Sequence, residues 1–335
     1  MKDIFDKCRL KRLKLNSRII RTGLWESQNL KNGKLTRDVY DRYELLASSG
    51  VGLITTELLS LYPRNKFSDL SHKTYSSNFI PDFKKITDIV HGYDTPILRQ
   101  LMFVQYNRGI DLNINVNDLT IDDIRGIQVD MVMAAKKLSF AGFDGIQIAM
   151  GNNFYLSKFI NPYFNQRSDS YGGDTYGRTR IVLEMIKVIK DNTDLHVNCR
   201  VNAYDGRKGG IDIKESIEIC RLLEEYGVDS LQITKPLSPL YFTKEGENTE
   251  LIDYVTSLKE EVNIPIILGG GFHNKTQINQ LLNDNDLDFI SMYRPFVAQP
   301  DLLLEWKNQK SDESKCLMCN NCYRNKSSTC YHFNS

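Results

Sequence analysis

Glycines and an arginine in the last third of the chain could bind a phosphate group. Gly270 and Gly271 end one apolar run, and Tyr293 and Arg294 end the next. Glycine lets backbone N–H groups approach an anion closely, and arginine can donate paired hydrogen bonds to phosphate oxygens. A helix starting after the glycines would add its positive N-terminal end. The pattern predicts a phosphorylated ligand, either a nucleotide cofactor or a sugar phosphate.

Four of the seven cysteines lie near the end of the sequence. The spacing of Cys316, Cys319, Cys322 and Cys330 favours a metal site over a set of disulfides in a cytosolic chain. Arrays of thiolates bind iron–sulfur clusters or zinc. The spacing therefore leaves three interpretations open: a [4Fe-4S] cluster, zinc, or an array without metal.

The sequence repeats one order of segments: a short apolar run, a loop and then a helical segment. A fold built from these repeats could bring the candidate binding residues together. Strand-like runs occur at residues 18–23, 50–57, 95–101, 143–149, 196–202, 228–234, 264–270 and 287–293. Helical segments follow them, and Thr120 with Asp123 is close to a capping box at the start of one helix. Eight alternations predict an α/β fold, a (β/α)8 barrel over residues 1–310, followed by a cysteine-rich tail over residues 311–335.

In such a barrel the chemistry lies at the carboxyl ends of the strands. Polar or glycine residues stand at these ends, namely Thr22, Gly23, Glu57, Gln100, Asn152, Asn153, Arg200, Lys235, Gly270, Gly271 and Arg294. Any one of them could be a cap or a loop-fixing residue. Together they predict a polar barrel mouth.

Composition narrows the classes of partner. Lys and Arg total 43 and Asp and Glu total 42, so the net charge gives no reason to expect binding to nucleic acid or an anionic membrane. No apolar run suits a signal peptide or approaches the roughly 20 residues of a membrane span. The sequence predicts a soluble, cytoplasmic protein that acts on a small molecule, and it leaves a homo-oligomer open.

Several segments resemble the old yellow enzyme family of FMN-dependent oxidoreductases, including the barrel domain of the 2,4-dienoyl-CoA reductases. The most specific match is FNQRSDSYGGDTYGRTR, residues 164–180. Further matches are LKLNSRIIRTGL, GVGLITTELL, the third-strand Gln100-Leu101, IPIILGGGF and SMYRPFVAQPDL. The resemblance extends over about residues 5–330.

The resemblance implies that FMN lies across the barrel mouth. The residues implied to bind it are Thr22, Gly23, Leu24, Leu58, Gln100, Arg200, Gly270, Gly271, Tyr293 and Arg294. Gln100 would hydrogen-bond the pyrimidine edge of the flavin ring. Arg200 would lie by N1 and C2=O, where a guanidinium stabilises the negative charge of the reduced ring. Arg167, Asp169 and Arg178 would hold the SDSYGGDTYGR loop in place.

The chain departs from this family at the end of the fourth strand. The family usually has His-x-x-His or His-x-x-Asn there, which polarises a substrate carbonyl, followed by Gly-Tyr, whose tyrosine protonates the α-carbon. Here Ala149, Asn152 and Phe154 occupy the three positions. Tyr155 is a candidate replacement acid, although neighbouring residues of an extended segment point to opposite sides, which favours packing. The predicted catalytic residues are Asn152, Tyr155 and Arg200.

Trp25 is a second departure, because the family commonly has a small threonine or cysteine near that position. Its indole either narrows the pocket or packs on the first helix. The predicted substrate pocket contains Trp25, Ala149 and Phe154. Losing one carbonyl donor would cost about 2.7–4 kcal/mol of transition-state stabilisation, so flavin binding is a safer prediction than reduction of an unsaturated carbonyl.

The resemblance also bears on the tail and on the electron donor. In the dienoyl-CoA reductase branch a similar cysteine run binds a [4Fe-4S] cluster, with the third cysteine one residue further on and a longer gap before the fourth. Because the sequence ends at Ser335, we expect no pyridine-nucleotide domain after the barrel. Electrons would then come directly from NADH or NADPH at the barrel mouth.

Three functions remain open from the sequence. The favoured one is an FMN-dependent oxidoreductase in which NAD(P)H reduces the flavin and a small unsaturated, quinone or other acceptor is then reduced. The second is a class I aldolase-type lyase, since Lys235 ends the sixth strand and could form a Schiff base. The third is a flavin-binding protein without turnover.

Overall fold

The computed structural model describes residues 1–23, 30–31, 34–60, 79–103, 115–152, 154–236, 249–324 and 329–333. Leu24, Trp25 and Asn153 lie outside these described residues. The roles predicted for them from the sequence therefore stay predictions.

Eight parallel strands form a closed barrel, and two short antiparallel pairs accompany it in the described part of the chain. In chain order the strands are β1 (Cys8–Leu10), β2 (Leu13–Leu15), β3 (Ile19–Arg21), β4 (Leu30–Lys31), β5 (Lys34–Leu35), β6 (Leu53–Ser60), β7 (Ile97–Met102), β8 (Gly145–Ala149), β9 (His196–Asn202), β10 (Ser230–Thr234), β11 (Ile266–Gly269) and β12 (Phe289–Met292). The barrel contains β3 and β6 to β12 in sequence order, and β12 pairs with β3. These are the eight strands predicted from the sequence, so the predicted (β/α)8 fold is confirmed.

The helices are α1 (Arg37–Ser48), α2 (Phe79–His91), α3 (Ile121–Phe140), α4 (Tyr155–Ile160), α5 (Thr175–Asn192), α6 (Ile213–Glu225), α7 (Thr249–Glu261), α8 (Lys275–Asp284), α9 (Arg294–Ala298), α10 (Leu302–Lys307) and α11 (Asn321–Arg324). The capping box is confirmed, since Thr120 and Asp123 cap the start of α3 reciprocally. The sequence analysis missed α4 and α9, which have six and five residues and are too short to show a helical period. No helix among the described residues is long and apolar enough to span a membrane.

A hairpin closes the amino-terminal end of the barrel. β1 and β2 pair antiparallel, and their leucines Leu10, Leu13 and Leu15 are buried. They pack in one cluster with residues from the beginnings of the barrel strands, namely Ile20, Leu53, Leu98, Ile267 and Phe289. This apolar layer fills the amino-terminal end of the barrel interior. The polar side chains of the interior therefore lie closer to the carboxyl ends of the strands.

The loop before α5 is held by arginines, as predicted. Arg167 forms an ion pair with Asp169 and donates to the carbonyls of Val116 and Leu119 at 2.7 and 2.8 Å. Arg178 pairs with Glu215 at the start of α6. These contacts tie the loop to the segment before α3 and to α6, which supports a structural role for SDSYGGDTYGR.

Candidate functional site

A row of buried amide side chains crosses the barrel interior. Gln100 Nε2 on β7 donates to Gln147 Oε1 on β8 at 2.8 Å. Gln147 Nε2 donates to Asn198 Oδ1 on β9 at 2.7 Å and to Gln232 Oε1 on β10 at 2.5 Å. All four side chains are at most 1% exposed. We call Gln100, Gln147 and Asn198 the amide relay, with Gln232 as its branch.

A backbone carbonyl fixes the direction of the relay. Asn198 Nδ2 donates to the carbonyl of Ser230 at 3.1 Å, and a carbonyl can only accept. Asn198 must therefore turn its oxygen toward Gln147, which in turn must turn its oxygen toward Gln100.

The relay ends in an unused acceptor. Gln100 Nε2 is committed to Gln147, and Gln100 Oε1 is buried without a hydrogen-bond partner among the described residues. An unsatisfied buried oxygen costs about 1–3 kcal/mol. The relay therefore leaves Gln100 Oε1 able to accept a further hydrogen bond.

The branch of the relay positions Thr22. Gln232 Nε2 donates to Thr22 Oγ1 at 2.9 Å and to Ser291 Oγ on β12 at 3.0 Å. Because β10 and β3 are not neighbours in the barrel, the bond to Thr22 crosses the interior. Thr22 also donates its N–H to the carbonyl of Met292 at 3.0 Å, so both its backbone and its hydroxyl are fixed.

His196 lies at the first position of β9 and bonds Ser230 Oγ through Nε2 at 2.8 Å. Burial lowers its pKa from 6.5 to about 4. Between pH 6.5 and about pH 4, His196 binds a proton in the unfolded chain but not in the folded chain. The free energy of unfolding therefore decreases as the pH falls through this range. At pH 5 the loss should be about 2 kcal/mol.

Urea unfolding at pH 7 and pH 5 tests this prediction. The drop in unfolding free energy between the two pH values should be smaller in His196→Gln than in the wild type by about 2 kcal/mol. His332→Gln, at an exposed histidine of the tail, should keep the wild-type pH dependence. An equal drop in the wild type and His196→Gln would contradict the assigned pKa.

Arg200 lies above the relay, toward the carboxyl end of the barrel. It is two residues beyond Asn198 on β9 and hence on the same face of the strand. Its Nη1 donates to the carbonyl of Gly23, after β3, at 3.3 Å, and the side chain is buried. Ala149 on β8 is its register partner. The predicted cofactor residues Thr22, Gly23, Gln100 and Arg200 thus lie together, and Leu58 pairs in register with Gln100.

Gly270 and Gly271 form an open loop after β11. Their φ values of +125° and +66° lie in the region that favours glycine. Gly270 is exposed, and a Cβ at this position would meet no atom within 4 Å. Tyr293 lies between β12 and α9, with the Arg21 guanidinium 5.6 Å from its ring centroid. The backbone of the glycine loop, at Gly270 and Gly271, is therefore accessible to an anion.

The start of α8 differs from the expectation for a phosphate site. Gln277 N–H donates to the capping side chain of Asn274 at 2.9 Å. Lys275 N–H donates to the carbonyl of Asp312 at 2.7 Å. Since the protein's own groups accept from these two amides, the phosphate would depend on the glycine loop and Arg294.

The tail segment, residues 311–320, packs against this loop. Ser314 N–H donates to the carbonyl of His273 at 2.9 Å, and Lys275 Nζ lies 2.6 Å from Asp312. Arg294 Nη1 donates to Asn320 Oδ1 at 2.7 Å. The tail is thus attached beside the predicted phosphate site, a contact that the sequence analysis missed.

The segment after β8 turns sharply into α4. Asn152 has a φ of +65° and is half-buried, as is Phe154, which precedes α4. Tyr155 is 3% exposed, and its ring packs against Phe103 and Phe159 with centroids 6.1 and 5.7 Å away. These contacts favour the packing role of Tyr155 over the catalytic one.

The four tail cysteines do not form a ligand set in the described structure. No group of three or more His, Cys, Asp or Glu side chains suited to a metal occurs among the described residues. Burial raises the pKa of Cys316, while the nearby Arg294 guanidinium acts in the opposite direction. The predicted metal site at Cys316, Cys319, Cys322 and Cys330 therefore gains no support from these positions.

The relay residues other than Gln100 were not predicted from the sequence. A signal was present, because Gln147, Asn198 and Gln232 are each a polar residue between apolar neighbours in the middle of a strand. Such residues must find hydrogen-bond partners inside the barrel. The direction of the bonds depends on the register between strands, which the sequence does not show.

Comparisons with known proteins bear on the family and the fold. A model of the NADH:flavin oxidoreductase / NADH oxidase family matches residues 103–313. The chain is 26% identical over 343 residues to an NADH oxidase of Thermoanaerobacter brockii, covering 95% of this chain and 53% of that protein.

Solved structures show the same fold. A 2-naphthoyl-CoA reductase matches with a TM-score of 0.87 at 16% identity, covering 99% of this chain and 57% of that one. Old Yellow Enzyme from Pichia sp. AKU4542 matches with a TM-score of 0.76 at 19% identity, covering 92% and 87%. The chain thus spans a little over half the length of the NADH oxidase (53%) and of the naphthoyl-CoA reductase (57%).

Proposed function

Because the chain belongs to the NADH:flavin oxidoreductase / NADH oxidase family, we propose that it binds FMN at the barrel mouth and passes electrons from NADH or NADPH to a small-molecule acceptor. Two observations carry this proposal: Gln100 Oε1 is a buried acceptor inside the barrel, and the buried guanidinium of Arg200 lies above it, toward the carboxyl end. When bound, FMN supplies the chemistry of accepting and donating a hydride.

Gln100 and Arg200 offer an acceptor and donors, which are complementary to the donor and the acceptors on a flavin ring. The pyrimidine ring of FMN carries an N3–H donor beside carbonyl acceptors. Gln100 Oε1 can accept from that N–H, because the relay holds the amide with its oxygen free. Arg200 would donate to N1 and C2=O, where its positive charge would stabilise the reduced ring.

The phosphate end has a separate set of residues. Gly270 and Gly271 present exposed or half-buried backbone in left-handed conformation. Arg294 is the first residue of α9, after the neighbouring strand β12, and can donate to phosphate oxygens. The residues of this chain therefore fit both ends of FMN.

The residues at the end of β8 and after it determine which electron acceptors the protein can reduce. The side chain of Ala149 can donate no hydrogen bond to a substrate carbonyl, and the side chain of Phe154 has no acidic proton. Asn152 is the remaining candidate to orient the acceptor. We therefore propose that acceptors needing no proton from the enzyme, such as quinones or nitro compounds, are reduced faster than unsaturated carbonyl compounds.

Tyr155→Phe should change turnover by less than about threefold, because the hydroxyl sits on a ring packed between Phe103 and Phe159. The measurement is kcat with a quinone and with an unsaturated ketone at saturating NADH or NADPH. A general acid contributes about 10²- to 10⁴-fold. A loss of that size with the ketone alone would identify Tyr155 as the proton donor.

Anaerobic mixing of the FMN-loaded protein with NADH and, separately, NADPH tests the proposed function. We expect at least one nucleotide to remove the blue absorption band of the flavin, and a quinone to restore it. A band that persists at saturating concentrations of both nucleotides would favour flavin binding without turnover. The lyase alternative has a separate test at Lys235, which is half-buried after β10. If Lys235 forms a Schiff base, borohydride should trap a carbonyl substrate on it covalently.

The [4Fe-4S] or zinc site stays a prediction from cysteine spacing. The four thiols as placed do not fit a ligand set, so we assign them no step in turnover. Iron and zinc analysis of anaerobically purified protein tests that prediction independently of the flavin.

A further inference from the structure

A neutral side chain of the tail segment accepts a hydrogen bond from Arg294. Asn320 is 9% exposed, and its Oδ1 accepts from Arg294 Nη1 at 2.7 Å. Met318 and Asn320 have φ values of +52° and +62°. Asparagine adopts this left-handed conformation more readily than most non-glycine residues, so the residue type at position 320 suits the turn of the tail at its contact with Arg294.

The other end of the tail segment is fixed to the glycine loop. The carbonyls of Asp312 and His273 accept from the N–H groups of Lys275 and Ser314. Lys315 N–H donates to Gln299 Oε1, beyond α9, at 3.1 Å. Because these anchors lie directly after the glycines and after Arg294, the tail sets the position of Asn320 relative to both.

The chemistry of Asn320 suits the support of an anion-binding arginine. Holding an arginine side chain still costs about 1.5–2 kcal/mol of rotamer entropy. Asn320 accepts from one N–H of a guanidinium that carries five donors in all. Unlike a carboxylate, the amide does not neutralise the positive charge that would attract a phosphate.

We infer that Asn320 is a positioning residue that orients Arg294 toward the phosphate group of the cofactor, so that the cysteine-bearing tail is part of the FMN site. The inference rests on the proposed function, since it takes FMN as the ligand. It assigns Asn320 an effect on the phosphate group alone, because its contact lies at Arg294 and not at the relay or Arg200.

Binding of FMN and riboflavin, which lacks the phosphate, tests this assignment in the full chain. The variant is Asn320→Gly, because glycine keeps the left-handed backbone while removing the amide. Quenching of flavin fluorescence gives both dissociation constants. We expect the constant for FMN to rise roughly tenfold, equivalent to about 1.4 kcal/mol, and the constant for riboflavin to stay unchanged.

Two controls sharpen the test. Asn321→Gly removes the neighbouring amide, which lies 3.5 Å from His332, and should leave FMN binding unchanged. In an Arg294→Met background, Asn320→Gly should have no further effect on FMN binding, because the group that it positions is gone.

The outcomes separate the two proposals. If the wild type binds neither flavin, the proposed function fails and the inference with it. If the wild type binds FMN and Asn320→Gly binds it equally well, or loses FMN and riboflavin to the same extent, the inference alone is overturned.

Discussion

Replacing Arg200 by methionine should slow the reduction of bound flavin by NADH or NADPH roughly 10²- to 10³-fold. Arg200 is the buried cation above the relay, held by the Gly23 carbonyl at 3.3 Å. Removing one preorganised donor from a site where negative charge develops costs about 2.7–4 kcal/mol. Stopped-flow absorbance at saturating FMN and nucleotide measures the rate separately from any loss of cofactor affinity.

Two further variants define the origin of the effect. Arg200→Lys keeps the charge with different geometry and should recover part of the rate. Arg125→Met makes the same chemical change at a side chain 70% exposed on α3 and should leave the rate unchanged. Wild-type flavin reduction in Arg200→Met would remove Arg200 from the proposed mechanism.

Gln147→Leu should lower the free energy of unfolding by roughly 3–5 kcal/mol, judged from the cost of unsatisfied buried groups. Leucine is close to glutamine in size, so the change removes hydrogen bonds with little change in volume. Gln100 Nε2 would lose its acceptor, and Asn198 Oδ1 would lose its donor. Urea unfolding of the protein without flavin measures this cost directly.

The matched substitution is Gln280→Leu, at an exposed position of α8, which should change the unfolding free energy by less than about 0.5 kcal/mol. Gln147→Leu should also weaken FMN binding, since Gln100 would be free to turn its amide. A loss of less than about 1 kcal/mol in Gln147→Leu would show that the relay is not the buried network described above.

The barrel could be predicted because each strand carries its own signal. Runs such as IPIILGG combine β-branched residues with flanking turns, and a strand buried on both faces needs that composition. The capping box at Thr120 and Asp123 is likewise a local feature. By contrast, α4 and α9 are held by packing in short segments, so their sequences carry no periodic pattern.

Part of the candidate site could be predicted from the sequence, because some of its residues are also marked by local signals. Gln100 and Arg200 lie in the second halves of β7 and β9, and Gly270 and Arg294 come shortly after β11 and β12. The barrel geometry brings the carboxyl ends of these strands together. The relay depends on which amide faces which across three strands, and the Arg294–Asn320 contact joins residues 26 positions apart through a folded tail. Tyr155 shows the opposite case, because its burial against Phe103 depends on a turn whose direction the sequence left open.

Titration of the flavin-free protein with FMN tests the central claim most directly. We predict that the protein binds FMN in a one-to-one ratio, with quenched flavin fluorescence, and that Gln100→Leu and Arg294→Met each weaken binding. A correctly folded protein, shown by circular dichroism, that leaves flavin fluorescence unchanged at saturating FMN would contradict the account.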